Sequence, residues 1–226
     1  MNAQYRPLPR GARVIEQGKI RFPSVTTILS GVDPIRFPEF LLRQYASRGS
    51  ISHALGRHFL TTGRWESDPL KTARTPEERI RMLEDMEIVA RGNLRLRWQD
   101  CNFPGFLEKY GRDFKPWPGK APEERFFDQD FRFTGAPDWP CLYKDEPAIA
   151  DLKTSGFYPA QRVLRFMKQL AAYARIAAGE IKYIITIPLN PRNKCGFGEP
   201  IVSTNVDGYF NMFVRDRWMF LRLFGL

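Results

Sequence analysis

AIADLKTSGF, residues 148–157, places an aspartate and a lysine two positions apart inside an apolar run. Ala148, Ile149, Ala150 and Leu152 read as a buried strand, and Thr154-Ser155-Gly156 ends it. Strand residues two apart share a face, so Asp151 and Lys153 are expected side by side, with Leu152 turned outward. Two opposite charges on an inner strand are costly unless something compensates them. A divalent cation and a phosphate would compensate both.

The acid-x-lysine pattern occurs three times: Asp113 to Lys115, Glu180 to Lys182 and Asp151 to Lys153. For such a pair, a plain salt bridge at a strand end is the ordinary explanation. Only the third pair closes an apolar strand and has a further acid placed upstream. That acid is Asp138 in GAPDW, residues 135–139, thirteen positions before Asp151. Thirteen residues let a strand turn and run back beside itself, which brings both carboxylates to one end of a sheet. Two carboxylates with water and phosphate oxygens suit Mg²⁺ or Mn²⁺. A lysine beside them orients an attacking water and offsets charge on phosphorus.

Working outward, ERFFDQDFRFTGAPDW (124–139) reads as a β-hairpin turning near Asp128 to Asp130, and KYIITIPL (182–189) as a further strand. Between the strands lies YPAQRVLRFMKQLAAYARIAAG (158–179), one long helix between Pro159 and Gly179. Trp139-Pro140 predicts a short or edge strand, because proline removes a ladder donor. Upstream, residues 1–22 read as an irregular arm. FPSVTTILS (22–30) reads as a short helix capped by Ser24, and PEFLLRQYA (38–46) as a second. The latter leads into RGSISHALGRHFLTTG (48–63), where His53, Gly56 and Arg57 fall within one turn. Thr75-Pro76-Glu77-Glu78 predicts a helix start with Glu78 completing a capping box, followed by Ile80, Leu83, Ala90, Leu94 and Trp98 at helical spacing. Residues 101–122, rich in Pro and Gly, read as a loop. YFNMFVRDRWMFLRLFGL (209–226) reads as an amphipathic helix covering the core. The expected fold class is α/β, a mixed central sheet flanked by helices with an N-terminal helical part.

The 226 residues carry 35 Lys and Arg against 25 Asp and Glu, a formal charge of +10. That excess favours a polyanionic partner, nucleic acid first and an anionic membrane second. Hydrophobic residues at 43% supply a sizeable core and argue against wholesale disorder. The three cysteines, Cys101, Cys141 and Cys195, form no CxxC, which argues against a disulfide framework and a structural zinc site. A reducing, cytoplasmic setting is the expectation. No apolar run reaches the roughly 18 residues of a membrane helix, and Pro7, Pro9 and Gly11 break the basic N-terminal segment, so no membrane association is expected. No GxxxxGK[ST] is present, so a nucleotide-driven helicase is not expected.

Gly135-x-Pro137-Asp138, Asp151-x-Lys153 and Gln169-x-x-x-Tyr173 together resemble the PD-(D/E)xK nuclease superfamily, in its RecB-like/Cas4-like exonuclease branch of phage and mitochondrial genome maintenance enzymes. RGSISH (48–53) is similar to that branch's G-x-x-x-H helix, and FPSVTTILS to its N-terminal P-S-V-T-x-I-L segment. The resemblance implies a restriction-endonuclease-like core in one nuclease domain. Residues 1–122 would be the mainly helical part, 123–190 the αβ catalytic core, and 191–226 a strand and amphipathic helix. It implies that Asp138 and Asp151 hold Mg²⁺, with Mn²⁺ able to substitute, that His53 is an additional ligand, and that Lys153 assists the water. Gln169 and Tyr173 would stand beside the site; four apart, they share one helix face. An acid at the start of the hairpin is implied, where Glu123 and Glu124 compete and spacing favours Glu124. Four cysteines would be needed for the iron–sulfur cluster of some relatives, so none is expected. Arg48, Arg162, Arg165 and Lys168 are expected along a phosphate backbone. The implied activity is a DNA exonuclease acting on single-stranded or frayed ends, with a protein partner from recombination or replication. A structure-specific endonuclease and a non-catalytic DNA-binding module are the alternatives.

Overall fold

The computed structural model describes residues 5–34, 37–92, 97–177, 179–190 and 192–226. The first elements, β1 (Val14–Gln17) and β2 (Ile20–Pro23), form an antiparallel ribbon where an irregular arm was expected. Gly18, with a left-handed φ of 60°, allows the turn, and fully buried Phe22 fastens the ribbon to the core. The Ser24 hydroxyl then accepts from the Thr27 N–H and starts α1 (Val25–Val32), as the sequence predicts.

The next element departs from expectation. Instead of two segments, α2 runs unbroken over Glu39–Thr62 and stops at Gly63 in the left-handed conformation. Thr75 caps α3 (Pro76–Arg91), but the Glu78 carboxylate takes the Arg74 N–H at 2.7 Å rather than that of the cap itself. Ile80 and Leu83 are exposed; Met82, with Met86 and Val89, forms the stripe that packs on α2. Leu94 lies outside the described residues. The Pro/Gly-rich stretch is no loop: it carries α4 (Phe103–Tyr110), with Pro104 in its first turn, and β3 (Phe114–Pro116). Phe103, Phe106 and Phe114 are buried, and their burial, worth about 2 kcal/mol each, offsets the poor local propensity.

The remaining elements are β4 (Phe126–Asp128), β5 (Phe133–Gly135), β6 (Trp139–Tyr143), β7 (Glu146–Thr154), α5 (Ala160–Ile176), β8 (Tyr183–Leu189), β9 (Ile201–Ser203) and α6 (Val206–Phe224). Among the described residues the central sheet has the order β3-β6-β7-β8-β9, with β7 and β8 parallel and the other pairs antiparallel. The architecture is α/β: a mixed five-stranded sheet flanked by helices. The expected hairpin exists as β4 and β5, but it stands apart from that sheet and turns through residues 129–132. The strand beside β7 is β6, which lies inside the sheet and not at its edge. Pro140 is tolerated because β3 begins to pair only at Cys141, so the missing N–H falls where β6 has a neighbour on one side alone.

The faces of β7 divide the core. Ile149 packs with α1, α5 and α6, including Leu170, Phe213 and Phe220, while Ala148, Ala150 and Leu152 pack with Phe103, Phe106 and Trp139. Leu152 is therefore buried on the second face rather than turned to solvent. Gly56 of α2 makes that possible, since a Cβ there would lie 2.4 Å from Leu152 Cδ1. The C-terminal helix α6 covers the core through Phe213, Arg217 and Phe220.

Candidate active site

Asp151 and Lys153 share the α5 face of β7, as strand alternation demands. The Lys153 ammonium is ion-paired with Asp151 Oδ2 and donates to Gln169 Oε1 at 3.1 Å. Gln169 Nε2 donates in turn to the Tyr173 hydroxyl at 2.8 Å. Gln169 and Tyr173 lie one turn apart on α5, and both are buried. Gly135 lets β5 approach this pair, because a Cβ there would lie 2.4 Å from the Tyr173 ring. Tyr158 fixes the exit of β7 by donating its hydroxyl to the Lys153 carbonyl.

Asp138 immediately precedes β6, whose pairing of Trp139 with Ala150 sets it beside Asp151. Its Oδ2 accepts the Leu152 N–H at 2.8 Å, and its Oδ1 is bonded to His53 Nδ1 at 2.9 Å. The two aspartates lie close enough for each to act on the ionisation of the other. Burial raises the Asp151 carboxyl to about 7, reinforced by the charge of Asp138. Burial also acts upward on Asp138, but the His53 charge and hydrogen bond, with Lys153, outweigh it and lower that carboxyl to about 2. On His53 burial acts downward, and the Asp138 charge and hydrogen bond reverse it, so the imidazole is raised above its usual value. Burial holds the Tyr173 phenol protonated, well above the usual range.

These six side chains line one cleft of about 970 Å³ between α1, α2, α3 and the sheet end. Glu123 also lines it, with Glu78, Glu84 and Asp85, whereas Glu124, which spacing favoured, is exposed and does not. Glu123 has a left-handed φ of 58°, which breaks the alternation that spacing assumes. Arg57, four residues after His53 on α2, bonds Glu123; its helical spacing from His53 was the signal, although no role followed from it.

The four cations expected on DNA are each bonded within the protein, Arg48 buried and the other three half-buried. Arg48 is 2% exposed and donates to the Thr154 carbonyl at 2.8 Å, so its guanidinium offers a phosphate no surface. Arg162 bonds Ser155 Oγ at 2.7 Å, Arg165 bonds Ser30 Oγ at 2.8 Å, and Lys168 is paired with Asp216. They fasten the β7 exit, α1 and α6 to α5. The cleft instead presents Arg13, Arg81 and Arg125, all exposed and none anticipated.

Among the described residues no three His, Cys, Asp or Glu side chains stand in the spacing of a metal site. His53 and Asp138 are bonded to each other, and Asp151 is paired with Lys153. Yet Asp151 Oδ2 is shielded from solvent with no hydrogen-bond donor in good geometry, and two carboxylates are pressed together around it. A buried acid pair of that kind fits a small, hard divalent cation. No described helix is long and apolar enough to cross a membrane.

No family model matches the chain, and no curated protein matches it. Among solved structures it is similar to the crystal structure of SSO0001, at 10% identity over 75% of this chain and 74% of that one. The TM-score is 0.34, a likeness too slight to bear on fold or function.

Proposed function

We propose that this protein is a metal-dependent deoxyribonuclease that hydrolyses phosphodiester bonds from a single-stranded or frayed DNA end. The observation that carries the reading is the convergence of Asp138, Asp151, Lys153, His53, Gln169 and Tyr173 in one cleft, from segments far apart in sequence. Asp138 and Asp151 would hold Mg²⁺ or Mn²⁺, which supplies Lewis acidity at phosphorus and a more acidic water. Lys153 positions the attacking water and offsets charge on the phosphoryl oxygens. Gln169 fixes the ammonium, and the Tyr173 hydroxyl fixes which end of the Gln169 amide faces it. His53 and the Leu152 N–H orient the two oxygens of Asp138. The formal charge of +10 and the exposed arginines of the cleft support a polyanionic substrate.

The test uses end-labelled linear and circular single-stranded DNA with Mg²⁺, Mn²⁺ or EDTA. Linear DNA is expected to be digested with either metal and spared in EDTA, and circles to be spared throughout. Asp151→Asn and Lys153→Ala are each expected to slow cleavage by about 10²-fold or more. Parent-like cleavage by both variants overturns the assignment. Cleaved circles would reassign the protein as an endonuclease. Tight, salt-sensitive binding without cleavage would make it a DNA-binding module.

A further inference from the structure

Arg57 is buried one turn beyond His53, and its guanidinium bonds run to Glu123, Glu78 and Thr72. Its Nη1 meets Glu123 Oε2 at 2.8 Å and Glu78 Oε1 at 2.9 Å, and its Nη2 donates to the Thr72 carbonyl at 3.0 Å. Arg74 adds a longer contact to the same Glu123 oxygen, 3.4 Å, from an exposed position. The main-chain N–H of Glu123 donates to the Pro137 carbonyl at 2.9 Å, and Pro137 is the residue before Asp138. Thus α2 holds Asp138 twice, through His53 on its side chain and through Arg57 and Glu123 on its backbone.

Two features set this apart from an ordinary surface ion pair. The guanidinium is buried and holds two carboxylates at once, so Glu78 still balances its charge when Glu123 is removed. Glu123 occupies a left-handed backbone conformation, φ 58°, that a glycine adopts without strain. The side chain, not the turn, therefore accounts for a glutamate there: its carboxylate is what Arg57 grips.

We propose that Arg57, Glu78 and Glu123 form a clasp that sets the position of Asp138 against Asp151, acting as positioning residues for the phosphodiester chemistry. The inference rests on the nuclease reading for its consequence and on the contacts above for its geometry. The clasp ties the start of α3 and the middle of α2 to the segment entering β6. Loosening it lets Asp138 drift, weakening the Leu152 N–H bond to Asp138 Oδ2.

The test compares Glu123→Gly, Glu123→Gln, Arg57→Gln and the double variant Arg57→Gln/Glu123→Gln with the parent, in full-length protein. Amide hydrogen exchange at Leu152 reads the position of Asp138 without reference to activity, and steady-state cleavage of linear single-stranded DNA reads kcat and KM. Glu123→Gly relieves the strained backbone, so a merely structural turn predicts no loss. The clasp predicts that this variant melts within about 3 °C of the parent while Leu152 exchanges at least about tenfold faster and kcat falls about tenfold or more at nearly constant KM. The double variant is expected to lose no more than the worse single one, because the two residues act as a unit. Unchanged Leu152 exchange and kcat in a folded Glu123→Gly overturn the proposal, and so does a raised KM at parental kcat, which would mean direct contact with DNA. Faster Leu152 exchange in the variants of a parent that does not cleave would uphold the clasp and refute the nuclease reading.

Discussion

Two helices meet β7 from opposite faces, and they do so with opposite chemistry. The buried side of α5 is Met167, Leu170, Ala171, Ala172, Ala174 and Ile176, relieved only by Gln169 and Tyr173. The buried side of α2 includes Ser47, Arg48, Ser52 and Arg57 among its apolar residues. From α5 the carboxylates receive a neutral hydrogen-bond chain that ends on Lys153. From α2 they receive an imidazole and, through Glu123, a buried ion-pair cluster. One side holds its ground by packing, the other by pairing charges, so the two should respond differently to pH, to salt and to substitution.

The largest effect is expected on the strand between them. Asp151 has a folded value of about 7 against an ordinary 3.8, so the native state keeps a proton that the unfolded chain has lost between those values. The stability of the metal-free protein should therefore fall as pH rises from about 4 to 7 and level off above. Asp151→Asn removes that slope, with a gain relative to the parent at pH 8, compared with pH 4, on the order of a few kcal/mol. Asp138, lowered to about 2, works in the other direction: its contribution is present above pH 4 and is lost as pH falls towards 2. Urea melts at several pH values check both.

Arg48→Ala should cost about 3 kcal/mol, from lost packing and an orphaned Thr154 carbonyl. In the proposed DNA complex Arg48→Ala should keep the parental salt dependence, whereas Arg125→Ala, on the open cleft, should reduce that slope by about one. Gly56→Ala and Gly135→Ala press on the α2 side and the α5 side respectively, each placing a Cβ 2.4 Å from a packed neighbour. Each should cost about 2 kcal/mol in urea titrations. They should part company in amide exchange, Gly56→Ala loosening Leu152 and Gly135→Ala loosening the middle of α5. Gln169→Leu is the mildest, about 1 kcal/mol, and should lower kcat while leaving the exchange of Leu152 unchanged.

The same contrast explains what could be read in advance. The long helix α5, the strands β7 and β8 and the cap of α1 follow from apolar periodicity and punctuation, because their buried positions are apolar. The meeting of Asp138 with Asp151 followed from spacing alone. The continuity of α2 did not, because Arg48, Ser52 and Arg57 interrupt its apolar stripe although all three are buried. Periodicity places a charged residue on a helix face without saying whether that face bonds solvent or protein. Arg165 reaches Ser30, 135 positions away, and nothing local in the sequence marks that bond. Elements α4 and β3 were hidden for a related reason, since phenylalanines docking on distant strands overrode a Pro/Gly-rich composition. Glu123 was passed over because an extended strand was assumed where the backbone turns left-handed.

The turn between β6 and β7 is only two residues, Lys144 and Asp145, both with left-handed φ of 52° and 66°, as a tight antiparallel reversal requires. The two aspartates are thus joined by one of the most local pairings available to a chain, whereas His53 reaches Asp138 across 85 positions. Closing short loops is fast and closing long ones is slow. During folding the acid pair should nucleate early, its negative charges exposed to one another before the imidazole arrives, with α2 docking as the late step.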